Sequence, residues 1–359
     1  MKATNTGMAI ITAVFPANEK GRAIGMFMTM VGVGAIAGPA IGGLLVDFFG
    51  WRVVFFLTLP LNIIGAVATL WVLRGGTEEK EADRARFYWL GATLSTGVLV
   101  ALLLAMTIGN KAGWFSPSIV IAFTAAIGML GTFIWWELRT SAPMLDLRLF
   151  RGKTFSLGIS AAFLTFLGSS AVLFMMPFYL QNVLGYSAKA AGFAVVPGAI
   201  CMAIMGTVSG VLSDRFGWRS FTVGGLASSG IGLLILSCIT EDSSLWMVVP
   251  ALMLMNIGMG TFYSPNSSSV MSRAVVSKYG VVSGILNLVR NAANVTSIAF
   301  ATVIVTTTMA SMGFEPSLEA VRGEAEGVDQ AFTLGLRYAF LAMMSIIVVS
   351  LTLSALQPN

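Results

Sequence analysis

A stretch of 26 residues decides the fold class: residues 155–180 read FSLGISAAFLTFLGSSAVLFMMPFYL and carry no charged side chain. A transmembrane α-helix needs about 20 predominantly apolar residues to cross about 30 Å of hydrocarbon. The composition agrees, because 56% of the residues are hydrophobic and only 10% are charged, whereas soluble domains carry about 25% charged residues. The sequence therefore predicts an all-α polytopic membrane protein.

Similar apolar stretches on either side predict ten full transmembrane helices. They are residues 23–46, 53–73, 88–108, 117–137, 155–180, 190–211, 221–240, 246–265, 280–307 and 335–355. A shorter apolar run of 13 residues ends before Pro16 and is too short to cross. We interpret it as a partial first helix and expect the chain to begin within a transmembrane segment, with further helices upstream.

The basic residues predict the orientation of these spans. With the loop at 16–22 placed in the cytoplasm, 14 of the 21 lysines and arginines fall in inside segments and 6 in outside segments. This asymmetry follows the positive-inside rule. The remaining basic residue, Arg290, lies within a span. The net charge of +5 is therefore explained by topology, and no nucleic-acid partner is expected.

A series of glycines on the first full span is the most specific motif. It consists of Gly25, Gly34, Gly38, Pro39, Gly42 and Gly43. Glycines four residues apart lie on one face of a helix and let another backbone approach closely. Pro39 removes a backbone donor and bends the helix. The pattern indicates a close helix–helix contact, which lies on a transport path if the protein is a transporter.

This motif resembles the antiporter motif on the fifth helix of drug–proton antiporters of the major facilitator superfamily. The residues Gly50-Trp51-Arg52 and the segment 143–151, PMLDLRLFR, are similar to the 14-helix, EmrB/QacA-type group. Thr58 departs from the pattern, since that group usually has Asn there. The resemblance covers essentially the whole chain and aligns it with the second half of family helix 4 through helix 14.

The resemblance implies a division of the chain into four parts. Residues 1–74 would be the remnant of an N-terminally truncated transmembrane half (family helices 4–6), 75–87 a cytoplasmic loop, 88–154 an inserted helix pair and linker, and 155–359 a C-terminal six-helix half. The implied function is efflux of lipophilic drugs or toxic compounds across the cytoplasmic membrane, driven by protons. An important acid lies in helix 1 of that family, so the proton-coupling residue is not identified in this chain.

A second motif follows the span at 190–211. It consists of Gly210, Asp214, Arg215, Gly217 and Arg219 and resembles the facilitator loop motif. We predict a short cytoplasmic loop in which the arginines contact helix ends and Asp214 accepts from a helix N-terminus. Such contacts can hold one conformation of a transporter. A tight turn with basic membrane anchors explains the same residues equally well.

Candidate residues of a central cavity lie on two spans. Arg290 shares a helix face with Asn287, Asn291 and Asn294, and an ionisable residue inside a membrane indicates function. The alternative is an arginine that snorkels to the interface. On the span from Trp246, Asn256 and Tyr263 share a face. The aromatic residues of the span at 155–180 would suit a lipophilic substrate, although contact with lipid or packing between helices explains any single one of them more simply.

Several classes of function have no support in the sequence. The chain has no histidine and only two cysteines, and it contains no catalytic constellation, metal-ligand spacing or phosphate-binding loop, so we expect no enzyme activity, metal or cofactor. Three alternatives to drug efflux remain: an uptake permease or facilitator of the same fold, a truncated membrane protein that does not transport, and, remotely, a membrane enzyme.

Overall fold

The computed structural model of the protein describes residues 34, 38, 41–72, 93–94, 97–98, 100–101, 116–139, 150, 152–272, 279–318, 321 and 327–357. Eight helices in these ranges are long and apolar enough to cross a membrane. They are α1 (Arg52–Val72), α2 (Pro117–Arg139), α3 (Lys153–Phe178), α4 (Ala188–Phe216), α5 (Trp218–Leu236), α6 (Leu245–Ser272), α7 (Tyr279–Ser311) and α8 (Val328–Ala355). The predicted all-α polytopic membrane fold is confirmed.

The predicted spans agree with these helices except at some boundaries. Helix α6 continues to Ser272, seven residues past its predicted end, and α4 continues to Phe216, five residues past its predicted end. Helix α8 begins at Val328, seven residues before the predicted start at residue 335. The extra turns carry Asp329, whose polarity placed the segment in a loop, but Val328 and Phe332 are buried and keep it helical. The spans predicted at 23–46 and 88–108 are described only in part, and the partial helix before Pro16 lies outside the described residues.

Helices α3 to α8 pack into one bundle. Helix α6 lies between α4 and α5, and α8 contacts α3, α5 and α7. A five-residue π-helical turn, Tyr179–Val183, extends α3 at its C-terminal end. The buried ring of Tyr179 anchors this turn, because its hydroxyl donates to the carbonyl of Thr240, 2.5 Å away. The four-part division of the chain stays a prediction.

Glycines bring α6 close to both of its neighbours. A Cβ atom on Gly225 of α5 would lie 2.7 Å from the carbonyl oxygen of Gly258 on α6. On the other side of α6, a Cβ on Gly210 of α4 would lie 2.6 Å from the hydroxyl of Ser264. Small residues allow backbones to come this close. In lipid the hydrophobic effect does not hold helices together, and van der Waals packing at such contacts stabilises their association instead. Helix α6 is thereby held tightly in the bundle.

Candidate transport path

An aromatic cluster joins α3, α6 and α7. The rings of Phe166 and Tyr263 meet edge to face, with centroids 5.8 Å apart and planes at 78°. Met259 and Ala293 are buried against Phe166, so all three helices contribute. An edge-to-face pair of this kind is favourable beyond the area it buries. Tyr263, a predicted cavity residue, is half-buried and therefore stands at the border of this cluster.

Two polar contacts fix α7 against α3 beside the aromatic cluster. The hydroxyl of Ser170 donates to the side-chain oxygen of Asn294. One helical turn further, the hydroxyl of Ser297 accepts from the backbone N–H of Ala171 at 2.9 Å. Ser297 is fully buried, so this bond satisfies a polar group that could not reach water. Asn294, a predicted cavity residue, is thus part of the contact between α3 and α7.

Arg290 lies one turn before Asn294, toward the N-terminal end of α7. It is eleven residues past Tyr279, which places it about 16 Å along the helix at 1.5 Å per residue. The side chain is half-buried, and within the described part of the chain it makes no hydrogen bond or ion pair. A charged residue at mid-membrane costs about 2.5–3.5 kcal/mol on insertion scales. A guanidinium at this depth therefore needs water, a protein partner or a bound molecule.

The other predicted cavity residues have different surroundings. The amide of Asn256 donates to the Leu252 carbonyl of its own helix, 2.8 Å away. Its nitrogen would lie 2.8 Å from a Cβ on Gly198, which places Asn256 at the contact between α6 and α4. Asn287 donates to the Ser283 carbonyl at 3.2 Å, and Asn291 is exposed. The structure thus brings Tyr263 and Asn294 to the aromatic cluster and separates Asn256 from it.

The glycine motif contacts the start of α4. Gly34, Gly38, Gly42 and Gly43 are helical, whereas Gly25 and Pro39 lie outside the described residues. A Cβ atom on Gly43 would lie 2.9 Å from the carbonyl oxygen of Ala188 and 3.5 Å from the Cα of Gly192. Among the described atoms nothing lies within 4 Å of a Cβ on the other three glycines. Gly43 is therefore the motif residue that brings the two segments together.

The predicted cytoplasmic loop at 210–219 is wrong, since the structure has a single residue between two helices. Gly210, Asp214 and Arg215 lie in α4, and Arg219 lies in α5. Gly217 alone turns the chain, with a φ of 87°, and its N–H donates to the Ser213 carbonyl at 2.9 Å. Only glycine adopts this conformation easily. Gly217 therefore lets α4 end at Phe216 and α5 begin at Trp218 with no longer loop between them.

Arg219 contacts the end of another helix. Its guanidinium donates to the carbonyl of Ala355, the last residue of α8. The negative end of a helix dipole favours a cation at this place. The side chain of Asp214 lies outside what the structure describes, so its predicted helix partner stays a prediction.

The sequence did not indicate Ser170 of α3 and Ser297 of α7, the two serines whose hydroxyls join these helices. Both are small polar residues within charge-free spans, and the sequence offers only that weak signal, because serine is common in transmembrane helices as a neutral packing residue. Neither residue carries a periodic pattern that would name its partner.

The sequence profile of the Major Facilitator Superfamily matches residues 3–88 and 80–298. The chain belongs to this family. Like the family, it is a multi-pass membrane protein. Several relatives of the chain are named as transporters, in agreement with the prediction of a transporter from the sequence.

Two relatives and one solved structure illustrate the similarity. The chain is 35% identical over 288 residues to the multidrug resistance protein Stp of Mycobacterium tuberculosis. This match covers 79% of the present chain and 52% of Stp. It is also 29% identical over 286 residues to the riboflavin transporter RibZ of Clostridioides difficile. This second match covers 80% of the present chain and 61% of RibZ. The chain therefore spans between about half and three fifths of the length of these relatives.

The solved structure is that of a bacterial homolog to the human lysosomal transporter Spinster, in an inward-facing and unoccupied conformation. The TM-score is 0.57 at 20% sequence identity, and the match covers 98% of this chain and 73% of that one. At this identity the likeness concerns the fold alone.

Proposed function

We propose that this protein is a secondary transporter of the 14-helix drug–proton antiporter group, which exports lipophilic drugs or toxic compounds across the cytoplasmic membrane. The observation that carries the proposal is the half-buried Arg290 without a partner in the described structure, one turn from the aromatic cluster of α3, α6 and α7. Aromatic and apolar surfaces beside a few polar groups suit the binding of a lipophilic molecule. The multidrug resistance protein Stp, by its name, supports the substrate class.

The proposed mechanism is alternating access by movement of one half of the bundle against the other. The contact of Gly43 with Ala188 supports this, because it joins the segment at 41–49 to the start of α4, which belong to the two predicted halves of the transporter. Arg290 and Asn294 would line the cavity and hold the polar part of the substrate. Protons as the coupling ion rest on the resemblance to the antiporter group.

The test is transport of ethidium by inverted membrane vesicles from cells that express the full chain. We expect ethidium accumulation that requires an imposed proton gradient and that is lost with a protonophore. The variant Arg290→Ala should abolish it, and Arg290→Lys should retain part of it, because the charge stays. Arg139→Ala is the matched control: Arg139 is an exposed cation at the inner end of α2, stacked on Trp135 at 4.6 Å.

Unchanged transport in Arg290→Ala with normal membrane levels would refute the role of Arg290. Ethidium accumulation that is the same with and without the proton gradient would refute the coupling of transport to protons.

A second candidate function is uptake or facilitated passage of a polar small molecule. The similarity to a protein named as a riboflavin transporter favours it. Right-side-out and inverted vesicles with labelled riboflavin distinguish the two functions. Accumulation in right-side-out vesicles, together with no ethidium transport in inverted ones, would replace the efflux proposal by this one.

A further inference from the structure

Contacts between α3 and α7 occur in the same order along both helices. From the N-terminal ends, the residues that share a buried cluster or a hydrogen bond are Phe155 with Val282, Phe166 with Ala293, and Ser170 with Asn294. The two helices therefore run parallel. Phe166 is one turn before Ser170 on α3. Since Arg290 is also one turn before Asn294 on α7, it lies at the same level of the bundle as Phe166.

Arg290 has no carboxylate partner within the membrane. In the described part of the chain its side chain makes no hydrogen bond or ion pair. The sequence carries this further, because the predicted spans contain a single acid, Glu137, the last residue of the span at 117–137. A guanidinium inside a membrane without a counter-charge is costly. An anionic ligand beside Arg290 would offset that cost.

Asn294 adds a hydrogen-bond donor next to Arg290. Residues four apart on a helix are neighbours, with their Cβ atoms about 5–6 Å apart. The side-chain oxygen of Asn294 accepts from the hydroxyl of Ser170, so its amide nitrogen, which carries two hydrogens, is left to donate. Within the described structure this nitrogen has no acceptor. Arg290 and Asn294 together present a positive charge and N–H donors, which suits an anionic oxygen.

The surface at the same level on the neighbouring helices is aromatic. Phe166 is buried, and its ring meets that of Tyr263 edge to face at 5.8 Å. Tyr263 is half-buried, so part of its ring is left uncovered. Aromatic rings of a ligand gain from packing against such a surface. The site therefore combines an apolar aromatic part with a cationic part at one level of the bundle.

We propose that this site takes aromatic carboxylic acids as its substrate class, an inference that rests on the proposed transport function. The carboxylate accepts from the guanidinium of Arg290, whose planar fork matches two carboxylate oxygens, and from the amide of Asn294. The aromatic body packs on the uncovered side of Tyr263. A neutral ligand of the same shape makes only the aromatic contacts, and a cationic one is repelled by Arg290.

The experiment measures binding, not transport. The full chain is reconstituted in lipid nanodiscs and titrated by calorimetry at neutral pH with anthracene carboxylate, its neutral carboxamide and its cationic aminomethyl analogue, all substituted on the central ring. Empty nanodiscs provide the correction for partition into lipid. We expect the carboxylate to bind roughly tenfold more tightly than the carboxamide, the effect of a charge-assisted hydrogen bond, and the cation to bind most weakly.

Two variants remove the preference in different ways. Arg290→Gln should weaken carboxylate binding roughly tenfold and leave carboxamide binding within about twofold, which also shows that the variant is folded. Asn294→Asp keeps an acceptor for Ser170 but places a carboxylate beside Arg290, so it should abolish the preference as well. Arg139→Gln is the matched control, because Arg139 is an exposed cation at the end of α2, and it should bind all three ligands as the wild type does.

Equal affinity of the wild type for carboxylate and carboxamide, or a preference that survives in Arg290→Gln and Asn294→Asp, would overturn the proposal. The transport test separates this from the function. Gradient-driven ethidium transport without a preference for the carboxylate would overturn the substrate class and leave the efflux function standing. A preference that depends on Arg290, in a protein that shows no gradient-driven transport, would support the binding site and refute efflux.

Discussion

Replacing Gly225 by alanine should destabilise the bundle, whereas the same replacement at Gly224 should not. Both glycines lie in α5, next to each other. A Cβ on Gly225 would meet two backbone atoms of α6, the Gly258 oxygen at 2.7 Å and the Phe262 nitrogen at 2.8 Å. Gly224 is exposed, and a Cβ there would meet nothing within 4 Å among the described atoms. The pair therefore isolates the contact between α5 and α6.

The magnitude follows from these distances. An ordinary van der Waals contact begins at 3.4 Å, so relief at Gly225 requires a shift of about 0.7 Å between two backbones. Backbone atoms cannot rotate away, and a gap of 0.5–1 Å forfeits roughly a quarter to a half of each dispersion contact along the seam. Overpacking of this kind costs about 1–3 kcal/mol. The helix-propensity gain of glycine to alanine, about 0.5–1 kcal/mol, is common to both variants and cancels in their difference.

The assay is unfolding of the purified protein by sodium dodecyl sulfate in mixed micelles, followed by the fluorescence of its eight tryptophans. Gly225→Ala should unfold at a lower detergent fraction than wild type and be less stable than Gly224→Ala by about 1–3 kcal/mol. Equal midpoints for the two variants would refute the reasoning, since they would mean that α5 and α6 do not approach this closely.

Two further predictions concern other contacts. Gly43→Ala should slow ethidium transport in inverted vesicles roughly fivefold, the effect of about 1 kcal/mol on the barrier, because the added Cβ meets the start of α4. Gly42→Ala should leave the rate unchanged, since a Cβ there meets none of the described atoms. Equal rates for the two variants would contradict this prediction. Arg219→Ala should lower the stability of the bundle by about 0.3–1 kcal/mol through loss of a cation at the end of α8. The control in the detergent titration is Arg215→Ala, because Arg215 is exposed and makes no such bond in the described structure. An equal loss of stability in the two arginine variants would exclude a stabilising contact of Arg219 with the end of α8.

The candidate site could be predicted only in part from the sequence. The charge and amide pattern of Arg290 and Asn294 pointed to α7, because charged and amide residues are rare in transmembrane spans and stand out. Tyr263 was placed on the correct helix, and the structure supplies its partner, Phe166. Asn256 shares a helix face with Tyr263 in sequence, yet it lies against Gly198 of α4, since a shared face of one helix can border two neighbours.

The apolar stretches of the sequence are enough to show that the chain crosses a membrane many times, and its basic residues predict the orientation. Both follow from local, additive quantities: the length of each apolar stretch and the number of basic residues in each loop. Two features follow from the packing of the helices and not from the sequence pattern: Gly225 meets a backbone where Gly224 does not, and Arg219 reaches the end of α8. The physical reason is that a helix apolar on all sides does not mark the face that packs. Its partner is fixed only when the other helices take their places around it.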